Sequence, residues 1–331
     1  MPSRSIAEVG EFAFLASLVA RVPRGRATIV GPGHDCAVVR SAGRALLLTV
    51  DAMVEGVHFD RDWLSPRQIG CKSFLVNASD VAAMGGRPTA CVVSVGVPAT
   101  YRARDLSDLQ AGVVAAARAV GASVVGGNLS RARQLFVSIA LLADAPPRIV
   151  TRRGARPGDF VYVTGTLGDA ALAVRLLQQR RPRSRPVPAA VLRRFREPAP
   201  RLRAGRVLVA SGLVSAMIDV SDGLVQDLGH LCGQSRVGAV IRAATVPRSR
   251  AYCLHAGAGD TLALHGGEDY ELLCTVPKRH VKRLQQARRG LGCRITCIGE
   301  ITAERGICVV DASGQPMRLA AGGFDHFRDR D

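Results

Sequence analysis

Acidic side chains in this sequence recur at the ends of apolar segments, beside serine or glycine. The clearest case is the stretch MIDVSDGL, in which an apolar run stops at Asp219 and Asp222, with Ser221 between them. Holding like charges this close together in a partly buried site is costly unless something neutralises them. The acids that share this setting are Asp35, Asp51, Asp80, Asp219, Asp222, Glu268 and Asp269.

The cations that would balance these acids are not evident along the sequence. None of the acids stands next to an arginine, so we expect the balancing charge to come from elsewhere. Carboxylate oxygens suit Mg²⁺, which proteins often hold with a few carboxylates and the phosphates of a substrate. The set therefore indicates a site for Mg²⁺ and a nucleotide. For Asp222 taken alone, an ordinary helix N-cap is an open alternative.

Two familiar phosphate-binding loops are excluded by their spacing. The stretch Ser65–Ser73 ends like a Walker A loop, but it lacks the first glycine and its Lys72 is misplaced. Gly31 and Gly33 have the spacing of a dinucleotide loop, but no third glycine follows and no strand leads directly into them. No Ser–His or Cys–His pair stands out as a nucleophile.

Alternating strands and helices must position these acids, and they predict an α/β fold of the α+β type. A chain of 331 residues with 47% hydrophobic content is too long for one ordinary domain. The proline- and glycine-rich segment Pro146–Asp159 marks a boundary by its composition. We therefore expect two domains, residues 1–147 and 148–331.

Hydrophobic periodicity, together with glycine and proline residues that mark the ends of elements, predicts the individual helices and strands. The predicted strands are Ala45–Val50, Cys91–Val97, Leu135–Leu142, Phe160–Thr164, Val214–Ile218, Ala239–Ile241, Leu272–Val276 and Ile295–Ile298. The predicted helices are an amphipathic one around Phe12–Ala20, then Pro66–Met84, Asp105–Val120, Leu202–Ser211 and Pro277–Gln286, with two more that begin at Asp169 and Asp222.

Several compositional features bear on location and partners. No apolar run reaches the ~18–20 residues of a membrane span, and the first helix lacks a basic leader, so we expect a cytoplasmic protein. The nine cysteines are scattered without zinc-site spacing, which predicts mostly buried thiols and no disulfides.

The net charge of +18 raises the possibility of nucleic-acid binding. Only Lys72, Lys278 and Lys282 are lysines among 45 basic residues, which indicates a general replacement of lysine by arginine. Aromatic residues make up only 4% and do not alternate with basic ones, so nucleic acid is disfavoured as a partner. The densest basic region, Arg175–Arg206, is predicted to be a solvated, proline-broken connection, with an anion-attracting rim as the alternative.

Eight motifs in order carry a resemblance to a known family. They are GHDCAVV, TVDAMVEGVHF, NASDVAAMGG, GGNLS, TRRGARPGD, DVSDGLVQDLGHL, GGEDYEL and GFDHF. The series resembles bacterial thiamine-monophosphate kinases, of the aminoimidazole ribonucleotide synthetase-like superfamily, from about Gly10 to Phe327. The resemblance implies a two-domain fold whose N-terminal domains form a barrel across a homodimer.

The resemblance also implies an activity and a set of residue roles. The implied reaction transfers the γ-phosphoryl group of ATP to thiamine phosphate with the help of Mg²⁺, and it needs no general base because the acceptor oxygen is already ionised. The implied metal ligands are Asp35, Thr49, the main chain of Val50, Asp51, Asp80, Asn128, Asp219 and Asp222. The implied nucleotide contacts are Gly127, Asn128, Arg152 and Ser221. The implied contacts to thiamine phosphate are His58, Glu268 and Phe324. By residue type alone, His58 and Phe324 fit a core or loop position and Arg152 fits a solvated linker.

One departure from the family pattern affects the expected site. The chain has Gly126-Gly127-Asn128 where the family usually has aspartate in the third position, and we expect the glycines to form a tight turn there. Asn128 keeps a carbonyl oxygen but lacks the charge. This leaves open a related ATP-dependent enzyme that acts on another small phosphorylated or carboxylated metabolite.

Overall fold

Two six-stranded mixed sheets organise the chain, one in each half, in a computed structural model that describes residues 6–23, 25–179, 186–257 and 261–317. The first half contains α1 (Ile6–Val9), α2 (Glu11–Val19), β1 (Thr28–Val30), β2 (Ala37–Ser41), β3 (Arg44–Val54), α3 (Pro66–Ala83), β4 (Arg87–Val97), α4 (Ala103–Ala119), β5 (Ser123–Arg131) and β6 (Phe136–Asp144). The second half contains β7 (Phe160–Thr164), α5 (Asp169–Gln178), α6 (Ala189–Arg196), α7 (Leu202–Ala210), β8 (Ala216–Val220), α8 (Leu224–Ser235), β9 (Gly238–Arg242), α9 (Arg250–His255), α10 (Leu262–His265), β10 (Glu271–Val276), α11 (Val281–Leu291), β11 (Ile295–Thr302) and β12 (Gly306–Val310).

The first sheet has the strand order β1-β2-β3-β6-β4-β5 and is covered on one face by α3 and α4. Alternate residues of β6 show the difference between its faces, since Val137, Ile139 and Leu141 are fully buried and the residues between them are only half-buried. The opposite face is open. Leu48 and Val92 there are 43% and 46% exposed, so an apolar surface remains uncovered within the described chain.

The second sheet has the strand order β12-β9-β11-β7-β10-β8. Its strands β8 and β10 pair antiparallel, and every residue of both is buried. Asp219 near the end of β8 and Glu271 at the start of β10 are therefore buried among mostly apolar side chains.

Helix α3 lies between the two halves. A capping box formed by Ser65 and Gln68 starts the helix, with Pro66 in its first turn. The helix is buried on nearly all sides because it contacts β3 and β6 of its own sheet and also α7, β8 and β10 of the second half. Polar side chains on α3 are therefore held inside the molecule.

Several sequence predictions agree closely with these elements. Strand Phe160–Thr164 has the predicted bounds, and the helix predicted over Pro66–Met84 ends one residue earlier, at Ala83. Among the described residues no helix is both long and apolar enough to cross a bilayer. The nine cysteines all lie in described segments and are free, but the prediction that most are buried is wrong, since only four of them are buried and Cys253 is exposed.

Other predictions are wrong. The predicted tight turn at Gly126-Gly127-Asn128 is part of strand β5, which runs parallel to β4. Gly127 is needed there for close approach, since a Cβ would lie 2.1 Å from the carbonyl oxygen of Val93. Helix α2 buries no side chain within the described chain, so it lacks the packed face that an amphipathic helix was expected to have.

The described part of the arginine-rich region is not the predicted solvated connection, since it contains helices α6 and α7. Arg194 of α6 and Arg201, which directly precedes α7, reach the fully buried Glu271. Thr164 also donates a hydrogen bond to Glu271, at 2.7 Å. These arginines fix the start of β10 from the side of α6 and α7.

Candidate active site

Three carboxylates meet where the two halves of the chain join. Asp35 precedes β2, Asp80 lies near the end of α3, and Asp219 lies in β8. One oxygen from each lies within 4.8 Å of the other two. Asp35 and Asp219 are buried, and Oδ2 of Asp35 has no hydrogen-bond partner in the described structure. The cluster is thus an acidic centre with spare oxygen ligands.

The electrostatics of this cluster favour a bound cation. Burial, followed by the charge of Asp35, raises the pKa of Asp219 to about 7. Burial together with the neighbouring carboxylates, Asp51 foremost, raises the pKa of Asp80 well above its usual value. A divalent cation would relieve both the lost hydration and the mutual repulsion.

Hydroxyl and amide groups orient the carboxylates. Thr49 Oγ1 donates to Asp80 Oδ2 at 2.5 Å, and Ser79 Oγ donates to Asp219 Oδ2 at 2.6 Å. Asn77 Oδ1 accepts a hydrogen bond from the backbone N–H of Asp51 at 2.9 Å. Sequence reasoning missed Asn77 and Ser79, although both belong to the quoted NASD motif, because their partners are distant along the chain.

An arginine from a distant part of the sequence reaches this cluster, in agreement with the expectation that the balancing charge is not beside the acids in sequence. Arg152 Nη2 lies 3.0 Å from Asp35 Oδ1, and its side chain is 23% exposed. Ser235 Oγ holds this loop by donating to the carbonyl oxygen of Arg152 at 3.1 Å and accepting from the N–H of Gly154. One arginine leaves the three carboxylates only partly neutralised.

A second acidic group lies at the start of α8. The helix begins at Leu224, and Oδ2 of the buried Asp227 accepts hydrogen bonds from the N–H groups of Ser221, Asp222 and Gly223 at 3.0–3.1 Å. The N-cap position of α8 is occupied by Gly223 and not by Asp222, and no side chain caps the helix. Ligand atoms of Asp222, Asp227 and His230 lie within 4.8 Å of one another.

The loop that carries Glu268 is bound tightly to the loop that carries Ser221. Glu268 has a φ of 68°, and its N–H donates to the carbonyl oxygen of Ser221 at 2.7 Å. Gly267 permits this approach, since a Cβ there would lie 2.3 Å from the same oxygen. The Glu268 carboxylate lies 2.9 Å from Lys72 Nζ. The residue assigned to the acceptor and the one assigned to the nucleotide are thus adjacent.

His58 follows β3 in a turn. Its Nδ1 accepts a hydrogen bond from the N–H of Val54 at 3.1 Å, so a neutral ring carries its proton on Nε2. Phe324, the third residue assigned to the acceptor, lies outside the described residues.

Asn128 is not brought together with the carboxylates of its own chain. The strand register aligns Asn128 with Ser94, whose neighbours Val93 and Val95 are buried beneath α3. Because side chains alternate along a strand, Asn128 belongs to the open face of the sheet. Thr49 and Asp80, which contact each other, lie on the covered face. The side chain of Val50 points away from the cluster and is 62% exposed, which leaves only its main chain for the predicted contact.

The donor set suits Mg²⁺. It consists of carboxylate oxygens with one unpaired buried oxygen on Asp35, and it contains no thiolate or imidazole within the three-carboxylate group. The residues able to hold the ion are Asp35, Asp80 and Asp219, with Thr49 and Asp51 beside them.

Comparisons with known proteins match both halves of the chain. Residues 33–144 match the model of the AIR synthase related protein N-terminal domain, and residues 156–311 match that of its C-terminal domain. The thiamine-monophosphate kinase of Escherichia coli (strain K12) is 36% identical over 325 residues, covering 96% of this chain and 98% of the relative. The thiamine-monophosphate kinase of Aquifex aeolicus is 36% identical over 275 residues, covering 82% and 87%.

A solved structure described as AaThiL complexed with AMPPCP and TMP has a TM-score of 0.85 and 31% identity, and the match covers 98% of this chain and 100% of that one. The two-domain aminoimidazole ribonucleotide synthetase-like fold and the resemblance carried by the eight motifs are confirmed. This chain belongs to the thiamine-monophosphate kinase family.

Proposed function

We propose that this chain is an ATP- and Mg²⁺-dependent kinase that converts thiamine phosphate to thiamine diphosphate, with the carboxylate cluster as its metal site. The observation that carries the assignment is the meeting of Asp35, Asp80 and Asp219 within 4.8 Å, with the pKa of Asp219 raised to about 7. Family membership at 36% identity over nearly the whole chain supports the reaction. The neighbour in complex with AMPPCP and TMP supports the same pair of ligands.

The chemistry asks the chain mainly to position two anionic substrates. Bound Mg²⁺ would neutralise phosphate charge on the transferring group. Arg152 lies at the rim of the cluster, where its guanidinium can contact a nucleotide phosphate as well as Asp35. Ser221 lies at the start of α8, beside Asp222, so we assign the pair to the nucleotide and its metal.

We propose that the acceptor contacts His58 and Glu268, and also Phe324, which lies outside the described residues. Glu268 presents a carboxylate, which suits the cationic and amine-bearing rings of thiamine phosphate. His58 can donate from Nε2 when its ring is neutral. The chain needs no general base, because the attacking phosphate oxygen is already ionised near pH 7.

We further propose that the chain acts as a homodimer in which two open sheets close into one barrel. The support is the uncovered apolar face of the first sheet, where Leu48, Val50 and Val92 are 43–62% exposed. Gly127 and Asn128 lie in the edge strand of that sheet. Packing of two such faces would bring Gly127 and Asn128 to the dimer interface, near the nucleotide. Asn128 would add an oxygen ligand for the metal there.

Two more proposals concern organisation and location. We propose that the domains meet at 147/148, a division supported by family matches that end at 144 and resume at 156. We also propose a cytoplasmic location, supported by nine cysteines that remain free thiols in the structure.

The deciding experiment incubates the purified chain with ATP, Mg²⁺ and thiamine phosphate, and it measures thiamine diphosphate and ADP by chromatography. We expect equal amounts of both products from the wild type and neither from Asp80→Asn. Asn128, in place of the usual aspartate, favours one competing function, a different acceptor. ADP formation with a carboxylated or phosphorylated metabolite, but no thiamine diphosphate, would establish that competitor.

A further inference from the structure

Lys72 is a fully buried cation in a chain whose basic residues are nearly all arginines. It lies in the middle of α3, and its side chain is 0% exposed. The other two lysines, Lys278 and Lys282, are both exposed. Burying an ammonium group is costly unless a partner compensates for its lost hydration. The contacts of the Lys72 ammonium should therefore show what compensates for its burial.

Two groups surround the ammonium. Nζ lies 2.9 Å from Glu268 Oε1 and 3.8 Å from the centroid of the Phe195 ring. Within the described part of the chain, Glu268 is its one ion-pair partner. Trp63 packs edge-on against Phe195, with ring centroids 6.3 Å apart, and so helps to hold the ring. The ammonium is thus confined between an aromatic face and a single carboxylate.

Glu268 is fixed from two directions as a result. Its backbone has a left-handed φ of 68° and is bonded to Ser221. Its side chain is 24% exposed, so the carboxylate reaches the site surface while Lys72 holds one of its oxygens from inside. Without Lys72, this carboxylate would keep its backbone position but lose the contact that sets its side-chain orientation.

An arginine could not replace this arrangement easily. A guanidinium is a wide planar group with donors in a fixed fork, whereas an ammonium is compact. The space beside Lys72 is closed by Phe195 at 3.8 Å, and the side chain is completely enclosed. This accounts for a lysine at position 72 in an arginine-rich chain.

We propose that Lys72 is a positioning residue for acceptor binding, whose ammonium, held between Phe195 and Glu268, orients the Glu268 carboxylate toward the cationic part of thiamine phosphate. The proposal rests on the proposed function. It predicts that Lys72 acts on the acceptor through Glu268 and has little effect on ATP.

The test compares Lys72→Met, Glu268→Gln and the double variant in the kinase assay, with thiamine phosphate binding measured separately by calorimetry. We expect Lys72→Met to raise the KM and Kd for thiamine phosphate about tenfold, with the KM for ATP changed less than about twofold. In the double variant, Lys72→Met should not raise the KM for thiamine phosphate beyond the value for Glu268→Gln alone, because both substitutions remove the same contact. Phe74→Leu, another fully buried side chain of α3, is the matched control and should leave both KM values unchanged.

Phe195→Leu is a second test variant in case Lys72→Met does not fold. It removes the aromatic face beside Lys72 but keeps the ammonium group. It should also raise the KM for thiamine phosphate selectively, by a smaller factor. The inference would be overturned by equal rises in the KM for thiamine phosphate and for ATP, by effects of the two substitutions that multiply in the double variant, or by the same KM rise in Phe74→Leu. In each of these cases, formation of thiamine diphosphate by the wild type would still uphold the proposed function. Absence of thiamine diphosphate from the wild type would overturn both.

Discussion

At the scale of single residues, the ionisation of the carboxylate cluster is its most consequential property. Because burial raises the pKa of Asp219 to about 7, the folded chain holds a proton between about pH 4 and 7 that the unfolded chain releases. The folded state therefore binds more protons in that window, and its stability without metal falls as pH rises through it. Above the window the charged cluster destabilises the fold until a cation binds.

The fall in stability with rising pH leads to a prediction for Asp219→Asn. We expect the variant to unfold at a higher temperature than the wild type at pH 8 without Mg²⁺, and to show a weaker loss of stability between pH 4 and 7. It should lose kinase activity, because the amide is a poor ligand for Mg²⁺. Thermal unfolding followed by circular dichroism across pH measures this.

A suitable control for that series is Asp108→Asn, on the exposed side of α4. It should leave both the pH profile and activity unchanged. Added Mg²⁺ should stabilise the wild type at pH 8 and barely affect Asp219→Asn. Equal stabilisation of the two by Mg²⁺ would remove Asp219 from the metal site.

At the scale of elements, the start of α8 shows how one side chain can organise a loop. Asp227→Ala leaves three backbone donors without their acceptor, so we expect a loss of about 1–3 kcal/mol in the free energy of unfolding. Because Ser221 belongs to that loop, the KM for ATP should rise. Urea unfolding and initial rates measure the two effects.

The conservative variant Asp227→Asn keeps an accepting oxygen at the same place. It should therefore keep most of the stability and most of the affinity for ATP. An Asp227→Ala variant with normal stability would mean that solvent replaces the three hydrogen bonds.

The elements also show where sequence reasoning succeeds and where it stops. Helix α3 was predicted within one residue because its signals, Ser65, Pro66 and Gly85, are local. The contact of Arg152 with Asp35 joins residues 117 apart in sequence, and no local pattern encodes it. Strand β5 was mistaken for a turn because its paired glycines are typical of turns, whereas here they allow β4 to approach.

At the scale of the whole molecule, the open sheet face predicts association. Val92→Asp would place a charge on that face, so we expect a shift from dimer to monomer and a loss of activity. Val114→Asp is the matched control, since Val114 is 44% exposed against 46% for Val92 but lies on α4. Analytical ultracentrifugation with activity measured on the same samples distinguishes the two. A Val92→Asp dimer with full activity would place the contact elsewhere.

Asn128 gives a second prediction at this scale, because in one chain it lies on the face away from Asp80. Asn128→Asp should lower the Mg²⁺ concentration for half-maximal activity about tenfold, if the added charge is worth ~1.4 kcal/mol after screening. The effect should require the dimer, so adding Asn128→Asp to Val92→Asp should leave activity as low as in Val92→Asp alone. An unchanged midpoint in the dimer would show that Asn128 faces no cation.

Helix α3 also fixes the distance between Lys72 and Asp80. Lys72 and Asp80 are eight residues apart on one continuous helix, so the residues that we propose for orienting the acceptor and for holding the metal are separated by about 12 Å of helical rise. The helix is buried between both halves of the chain, which prevents it from stretching or sliding. With both proposed roles, this fixed spacing would favour acceptors long enough to contact Glu268 and the carboxylate cluster at the same time. Inserting one alanine between Val76 and Asn77 would turn the two ends by about 100° relative to each other, so Asp80 could not keep its contact with Thr49 while Lys72 keeps its contact with Glu268.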